Sequence, residues 1–337
     1  MGIFMGKREF LATTLERTGL GAVLSRTVCR WNGLLVFNYH RVGDGSNSLF
    51  DRGIYSATQE EFDRQVRFLN THFDVVNVAD LDHLMDHRGR AVMITFDDGY
   101  RDNYEFAFPV LRQHNVPATF FLTSGFLDSA PIAWWDEIAW MIHSAKKKWL
   151  FAIPPLSELL PLSSPQDRED AIVRILQTYK TLPADQTETF LNDLALRTGA
   201  GRAPRDLAQE LWMSWDMARE MDHSGMDIGG HTVSHPVLSQ STVTAQRDEI
   251  FESKARIEEM LGHPITAFSY PVGQQDSFTD GTQDLLREAG YRWAFSFSGG
   301  FAMPGKVNQL NVPRVAVAPH ISHELFQSTA RLPWLFA

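Results

Sequence analysis

Ala91-Val92-Met93-Ile94-Thr95-Phe96-Asp97-Asp98-Gly99-Tyr100 decides how the rest of the chain is read. The apolar, β-branched run predicts a strand, and the Asp-Gly pair after it predicts a sharp turn. Such a strand delivers two adjacent carboxylates to its own C-terminal end. Consecutive side chains leaving a strand point in different directions, so one acid can bind a metal while its neighbour faces a substrate. Taken alone, Asp97 and Asp98 also suit a plain polar turn. More than a hundred residues later, Met226-Asp227-Ile228 reads as another strand and leads into His231-Thr232-Val233-Ser234-His235. One carboxylate and two imidazoles suit a divalent cation such as zinc with positions open for water, and the spare carboxylate is free to act as a base. Two histidines that merely hydrogen-bond within a loop are the plain alternative. Their spacing would put them on one face of a coiled segment, but Pro236 disfavours helical backbone at His235 and predicts a turn.

Outward from these stretches, strand-like runs recur at 34–39, 73–78, 91–96, 118–123, 226–231, 265–270, 291–297 and 312–317. Helical patterns lie between most of them. Thr58-Gln59-Glu60-Glu61 reads as a capping box ahead of Phe62, Val66 and Leu69 on one face. Further helices are predicted near 103–114, 243–261 and 282–289, the last closed by Gly290. Strands alternating with helices imply a parallel sheet covered on its faces, and a chain of 337 residues suits one β/α barrel with insertions. The alternation breaks at 136–222, where helical patterns follow one another without a convincing strand. We read this as a helical insertion, a flap or substrate platform, within a barrel spanning 31–335, preceded by a helical segment at 1–30.

Composition narrows the classes. With 44% hydrophobic and 21% charged residues the chain is an ordinary globular protein, and its net charge of -10 argues against non-specific nucleic-acid binding. The single cysteine, Cys29, excludes an intrachain disulfide. Lys7, Arg8, Glu9, Glu16 and Arg17 interrupt the apolar N-terminus, unlike a secretory signal, which sets a cytoplasmic expectation. No run approaches the roughly 18 apolar residues that would span a membrane. Phe10, Leu11, Leu15, Leu20, Val23 and Leu24 would form an apolar helix face flanked by Lys7, Arg8, Arg17, Arg26 and Arg30. That face suits either packing on the barrel or lying on a membrane surface.

Taken in order, these blocks resemble the polysaccharide deacetylase family, the carbohydrate esterases that share the NodB homology domain. The resemblance covers about 34–317 and is carried by Thr95–Tyr100 with His231–His235. Phe37-Asn38-Tyr39-His40-Arg41-Val42, the run 116–123, Phe268-Ser269-Tyr270-Pro271-Val272-Gly273 and Val312-Pro313-Arg314-Val315 add to it. It implies a distorted (β/α) barrel, commonly seven-stranded, with its chemistry at the C-terminal ends of strands, where His40, Asp97, Asp98, His231 and Tyr270 are predicted. Carried over residue by residue, it makes Asp98, His231 and His235 the metal ligands and Asp97 the general base. Zinc is the first choice, with cobalt, nickel or manganese as alternatives because ligand type does not settle the metal.

Two departures from the family pattern stand out. The usual Leu-x-x-His block that supplies the general acid is missing, and Val317-Ala318-Pro319-His320 and Ile321-Ser322-His323 do not replace it. His40 sits in a block resembling members with a permuted barrel and is the favoured acid. His320 is the alternative, and a merely bracing role for His40 is a third. The Arg-Pro-Pro-Tyr-Gly block is replaced by Ser269-Tyr270-Pro271-Val272-Gly273, so Arg314 becomes the candidate that orients Asp97, with an ordinary surface ion pair as the plain reading. By analogy, the Val272 N–H joins the oxyanion site and Tyr270 the substrate site. Trp134, Trp135, Trp212 and Trp215 suit stacking on sugar rings or simple burial, Trp135 being the chosen contact, and Asp136 could approach the metal.

The implied function is a metal-dependent hydrolase that removes N-acetyl groups from an amino-sugar glycan or its lipid-linked precursor at the inner membrane face. Deformylation or hydrolysis of another small amide would use the same residues. A catalytically dead carbohydrate-binding protein is the rival from another class, and the intact Asp97, Asp98, His231 and His235 speak against it.

Overall fold

The alternation of the opening stretch carries through into a barrel. The computed structural model describes residues 6–27, 29–84, 89–319 and 321–337. β1 (Gly33–Tyr39) and β2 (Arg90–Phe96) pair in parallel along their whole length, from Gly33 opposite Arg90 to Tyr39 opposite Phe96. β3 (Thr119–Leu122), β4 (Asp227–Gly230), β5 (Ala267–Ser269), β6 (Trp293–Ser296) and β7 (Val312–Ala316) continue the ring. β7 then returns to β1, with Val36 opposite Arg314, so seven parallel strands close on themselves. Of the eight strand-like runs in the sequence, the one at 73–78 shrinks to Asp74–Val75 and stays outside the ring. It pairs with the start of β2, below the point where β3 begins to pair at Thr95 opposite Thr119. There it fills a corner of the distorted barrel.

Period-two alternation sorts the side chains. Leu34, Val36, Ala91, Met93, Phe121, Phe295 and Val312 pack together inside the barrel, whereas Leu35, Phe37, Tyr39, Val92, Ile94 and Phe96 pack outward with helix residues such as Phe62, Val66 and Leu69. Each fully buried outward residue of this size stabilises the fold by about 1.5–3 kcal/mol. Followed toward the C-terminal end, the inward set turns polar at Asn38, Thr95, Ser269 and Arg314, all buried. The interior therefore has an apolar floor and a polar top. Gly229 of β4 is needed for that floor: a Cβ there would meet the Phe121 ring at 2.5 Å.

The helices follow their sequence signals. Thr58 and Glu61 form the expected capping box ahead of Gln59–His72, and Val243–Leu261 spans the expected range. Asp280–Glu288 begins earlier than expected because Thr279 caps it. The stretch expected as one helix at 103–114 is a π-helical turn, Asn103–Ala107, running into Phe108–His114.

Between β3 and β4, helices Trp134–His143, Pro165–Tyr179 and Thr187–Thr198 gather Ile138, Ile142, Ile172, Ile175 and Leu191 into an apolar cluster of their own. A short antiparallel pair, Trp149–Leu150 with Leu160–Pro161, interrupts the helices where only helical patterns were expected. Two-residue strands carry too little periodicity to read from sequence.

The N-terminal segment forms Lys7–Arg17 and Leu20–Arg26, broken at Gly19 with φ +73°. Its apolar residues do not share one face. Ala12, Leu15 and Leu24 pack against Leu332 and Phe336 of the C-terminal helices, while Phe10, Leu11, Leu20 and Val23 stay exposed. Among the described residues, no helix is long and apolar enough to cross a membrane.

Candidate metal centre and catalytic cavity

Strand ends build the site. β2 ends at Phe96 and delivers Asp97 and Asp98, β4 ends at Gly230 and delivers His231, and β1 ends at Tyr39 and delivers His40. Asp98, Thr232, His235 and Val272 all adopt left-handed backbone, with φ of +77°, +66°, +58° and +63°. Such conformations cost about 1–3 kcal/mol each in non-glycine residues and persist where the surroundings enforce them. The turn at His235 ahead of Pro236 is thus a left-handed kink, in place of the helical coil that proline disfavours.

Asp98 Oδ1 lies 3.4 Å from His231 Nε2 and 3.5 Å from His235 Nε2, and all three side chains are buried. Their ligand atoms fall within 4.8 Å of one another, the grouping among the described residues that could hold a metal ion. Asp98 Oδ1 accepts no hydrogen bond despite its burial. A buried carboxylate oxygen without a partner is costly, and a cation between it and the two imidazoles would satisfy it. His231 Nδ1 donates to the Ser269 carbonyl at 2.7 Å, which fixes the ring and turns Nε2 toward Asp98. Burial disfavours a charged His231, but the Asp97 and Asp98 carboxylates outweigh it and raise its pKa, so the cluster calls for positive charge. Burial pushes His235 down to about 3, leaving a neutral imidazole suited to ligation. The residues present fit a divalent cation.

Asp97 stands beside this group with different partners. Arg314 donates from Nη1 to Oδ1 at 2.9 Å and from Nη2 to Oδ2 at 2.8 Å, a two-pronged pair with both side chains buried. Arg314 therefore makes no surface ion pair. Asn38 Oδ1 and Ser269 Oγ accept further bonds from the guanidinium, and Asn38 Nδ2 and Ser269 Oγ also donate to Asp97 Oδ2. Burial alone would raise the Asp97 pKa, but Arg314 outweighs it and holds the carboxyl well below the usual carboxylate range. Sequence reasoning missed Asn38 and Ser269, although both lie inside the blocks that pointed to this site.

A cavity of about 320 Å³ opens over the group. His40, Asp97, Asp98, His231 and His235 line its depth, and Val272 and Phe297 line one wall. The His40 ring stacks on Phe297 at 5.9 Å, and burial lowers its pKa against the opposing pull of Asp98 and Asp97. Trp134, Trp135, Leu176 and Lys180 reach in from the helical stretch, facing Asp51 and Ile54. Lys180 carried no recognisable signal, because its place depends on how the insertion folds over the barrel.

Several expectations are corrected. Tyr270 does not reach the cavity: it is buried, stacks on Phe278 at 3.8 Å and donates to the Leu310 carbonyl at 2.7 Å. Its position one residue past β5 turns the ring outward into the core. Trp212 and Trp215 are also core residues, donating to the Pro131 carbonyl and to Asp128, so only the Trp134-Trp135 pair reaches the cavity. Asp136 does not approach the metal group. Its carboxylate accepts from Tyr100 Oη at 2.7 Å and from the Asp51 N–H at 3.0 Å. His320, the alternative acid, lies outside the described residues.

The sequence profile of the polysaccharide deacetylases matches residues 85–145 and 164–294, more than half of the chain. The chain belongs to the polysaccharide deacetylase family. Bacillus subtilis YxkH, named as a polysaccharide deacetylase, is 20% identical over 298 residues, covering 87% of this chain and 74% of that protein. A poly-beta-1,6-N-acetyl-D-glucosamine N-deacetylase of Staphylococcus epidermidis is 31% identical over 116 residues, covering 29% of this chain and 38% of that protein. Among solved structures, the Streptococcus pyogenes deacetylase PplD in complex with acetate has a TM-score of 0.57 at 16% identity, covering 88% of this chain and 97% of that one. IcaB from Ammonifex degensii has a TM-score of 0.56 at 20% identity, covering 91% and 98%. These similarities bear out the barrel. Members of this family are metal-dependent deacetylases, which accords with the Asp98, His231 and His235 group.

Proposed function

We propose that the protein is a zinc-dependent N-deacetylase acting on a glycan that contains N-acetylated amino sugars. The observation that carries this reading is Asp97, ionised and locked by Arg314, beside three converging ligand groups of which Asp98 Oδ1 has no hydrogen bond, all in one cavity. Family membership supports deacetylation, and the partial likeness to an N-acetylglucosamine polymer deacetylase supports an amino-sugar substrate.

Asp98, His231 and His235 would hold the cation. When bound, it supplies Lewis acidity toward the acetyl oxygen and lowers the pKa of water. Asp97 accepts the proton of the attacking water, and Arg314 keeps that carboxylate ionised and aimed. The Val272 N–H, on the cavity wall, is assigned to the acetyl oxygen as negative charge grows there. His40 gives its proton to the departing amine from the β1 side, and its lowered pKa makes the protonated ring a better donor. The C–N bond breaks, releasing acetate and a free amino sugar. Trp134, partly exposed at the cavity, offers an aromatic face on which a pyranose ring can stack, while the buried Trp135 packs against His235 at 4.5 Å.

The test is release of acetate, followed by mass spectrometry, from a panel of acetamido and formamido oligosaccharides and lipid-linked sugars with and without chelator. Chelator-sensitive acetate release from acetamido sugars is expected. Formate release alone would make the enzyme a deformylase, and sugar binding without turnover would overturn the reading.

A further inference from the structure

Opposite the catalytic cavity, at the N-terminal end of the barrel strands, the charge distribution reverses. Arg90 is the first residue of β2, and its side chain lies over Phe73 at 5.2 Å. Together with Ser25, Arg26, Thr71, His72 and Arg331 it lines a separate pocket of about 130 Å³. Among the described residues, neither Arg26 nor Arg90 has a carboxylate within ion-pair distance, while Arg331 is paired with Glu16. Burial and then the guanidiniums of Arg30 and Arg26 push Arg90 below its ordinary value, and Asp74 offsets only part of this. Like charge has been gathered faster than it is neutralised. A chain of net charge -10 that concentrates arginines around a concave site presents an anion-binding site.

The surroundings say which anion. The helix Leu20–Arg26 that contributes Arg26 exposes Leu20 and Val23, the latter by 57%, and the preceding helix exposes Phe10 by 65%. The C-terminal helix packed against them exposes Trp334 and Leu335, each by 57%. A free phosphate would have no use for these exposed apolar side chains. An interfacial surface would, since its apolar side chains enter the acyl boundary while its cations meet headgroups. Lys7 adds positive charge on the preceding helix, where Arg17 is paired with Glu324 at 3.7 Å.

We infer that this end of the barrel docks on an anionic phospholipid surface, with a headgroup phosphate in the pocket of Arg26, Arg90 and Arg331 and the exposed side chains of the N- and C-terminal helices in the interface. Docked there, the catalytic mouth opens at the far end of the strands, about 20 Å away for seven residues at strand rise. That geometry presents the cavity to a glycan chain extending from the bilayer.

The test is co-sedimentation of the full chain with vesicles of equal parts phosphatidylglycerol and phosphatidylcholine, against vesicles of phosphatidylcholine alone. Binding to the anionic vesicles only is expected, weakening as salt is raised. Arg26→Glu and Val23→Ser, both at exposed positions, should each cut that binding about tenfold or more while leaving the unfolding temperature and deacetylation of a soluble oligosaccharide unchanged. Equal binding to neutral vesicles, or anionic binding untouched by both substitutions, would overturn the proposal. So would calorimetric binding of inorganic phosphate, lost in Arg26→Glu, without any vesicle binding, because the pocket would then serve a soluble anion.

Discussion

At the scale of single residues, Asp97 and Asp98 are chemically identical neighbours, and their partners separate them. Asp97 is saturated by Arg314, Asn38 and Ser269, whereas Asp98 Oδ1 is left without a hydrogen bond between two imidazoles. An amide at position 97 keeps the shape and most donors but removes the carboxylate proposed as the base. Asp97→Asn should therefore retain bound zinc and lose about a hundredfold or more in kcat. Metal analysis and initial rates check this together, and near-normal turnover would move the base elsewhere. The order of these residues along the chain was readable because strand, turn and acid are contiguous in sequence. Arg314 was readable as a candidate only, since its two-pronged bond depends on β7 closing against β1. Tyr270 was misread because one residue of strand register decides whether a side chain faces the cavity or the core.

At the scale of elements, the loop carrying His231 and His235 is held by a residue that no sequence motif indicated. Glu249, on the helix Val243–Leu261, accepts from the backbone N–H of Val233 at 2.7 Å and of Ser234 at 2.9 Å. It thereby sustains the left-handed turns at Thr232 and His235 that aim both rings. Glu249→Ala should weaken zinc binding about tenfold or more by letting the ligand loop relax, measured by competition with a chromogenic chelator. Unchanged affinity would mean that the bonds from Ser124 N–H to the Thr232 carbonyl and from Gly125 N–H to the Val233 carbonyl suffice. Helix positions were legible where a cap and an apolar stripe coincide, as at Thr58. The pair Trp149–Leu150 and Leu160–Pro161 was not, because cross-strand partners define it rather than any local pattern.

At the scale of the whole molecule, the helical insertion is tied to the barrel through a buried acid. Asp136 joins Tyr100 of the β2 turn to Asp51 of the loop after β1. Burial raises its pKa from 3.8 to about 7, against Arg41 and the Tyr100 hydrogen bond, with the nearby Asp51 adding to the rise. A folded-state pKa above the unfolded one means that the native state holds the extra proton. Its contribution is complete below about pH 4 and is lost as pH rises through about 7. Within that window the native protein should lose up to about 1.4 kcal/mol per pH unit relative to Asp136→Asn. Denaturant unfolding of both proteins across the window checks this, and parallel pH profiles would contradict it. The β/α alternation was legible from eight apolar runs and the seven-strand ring only through the family resemblance, yet the lining from Lys180, Leu176 and Asp51 was not legible at all. Those residues converge only when separate loops fold over one opening.

The central claim is that one cation at Asp98, His231 and His235 and one base at Asp97 make this barrel a deacetylase. It is tested most directly by titrating zinc into chelator-stripped protein while following acetate release from an N-acetylated oligosaccharide, with Asp98→Ala alongside. Activity in the native chain should start near zero, rise in proportion to added zinc and level off at about one equivalent, with no rise in the variant. Full acetate release from the stripped protein, or an equal rise in Asp98→Ala, would contradict it.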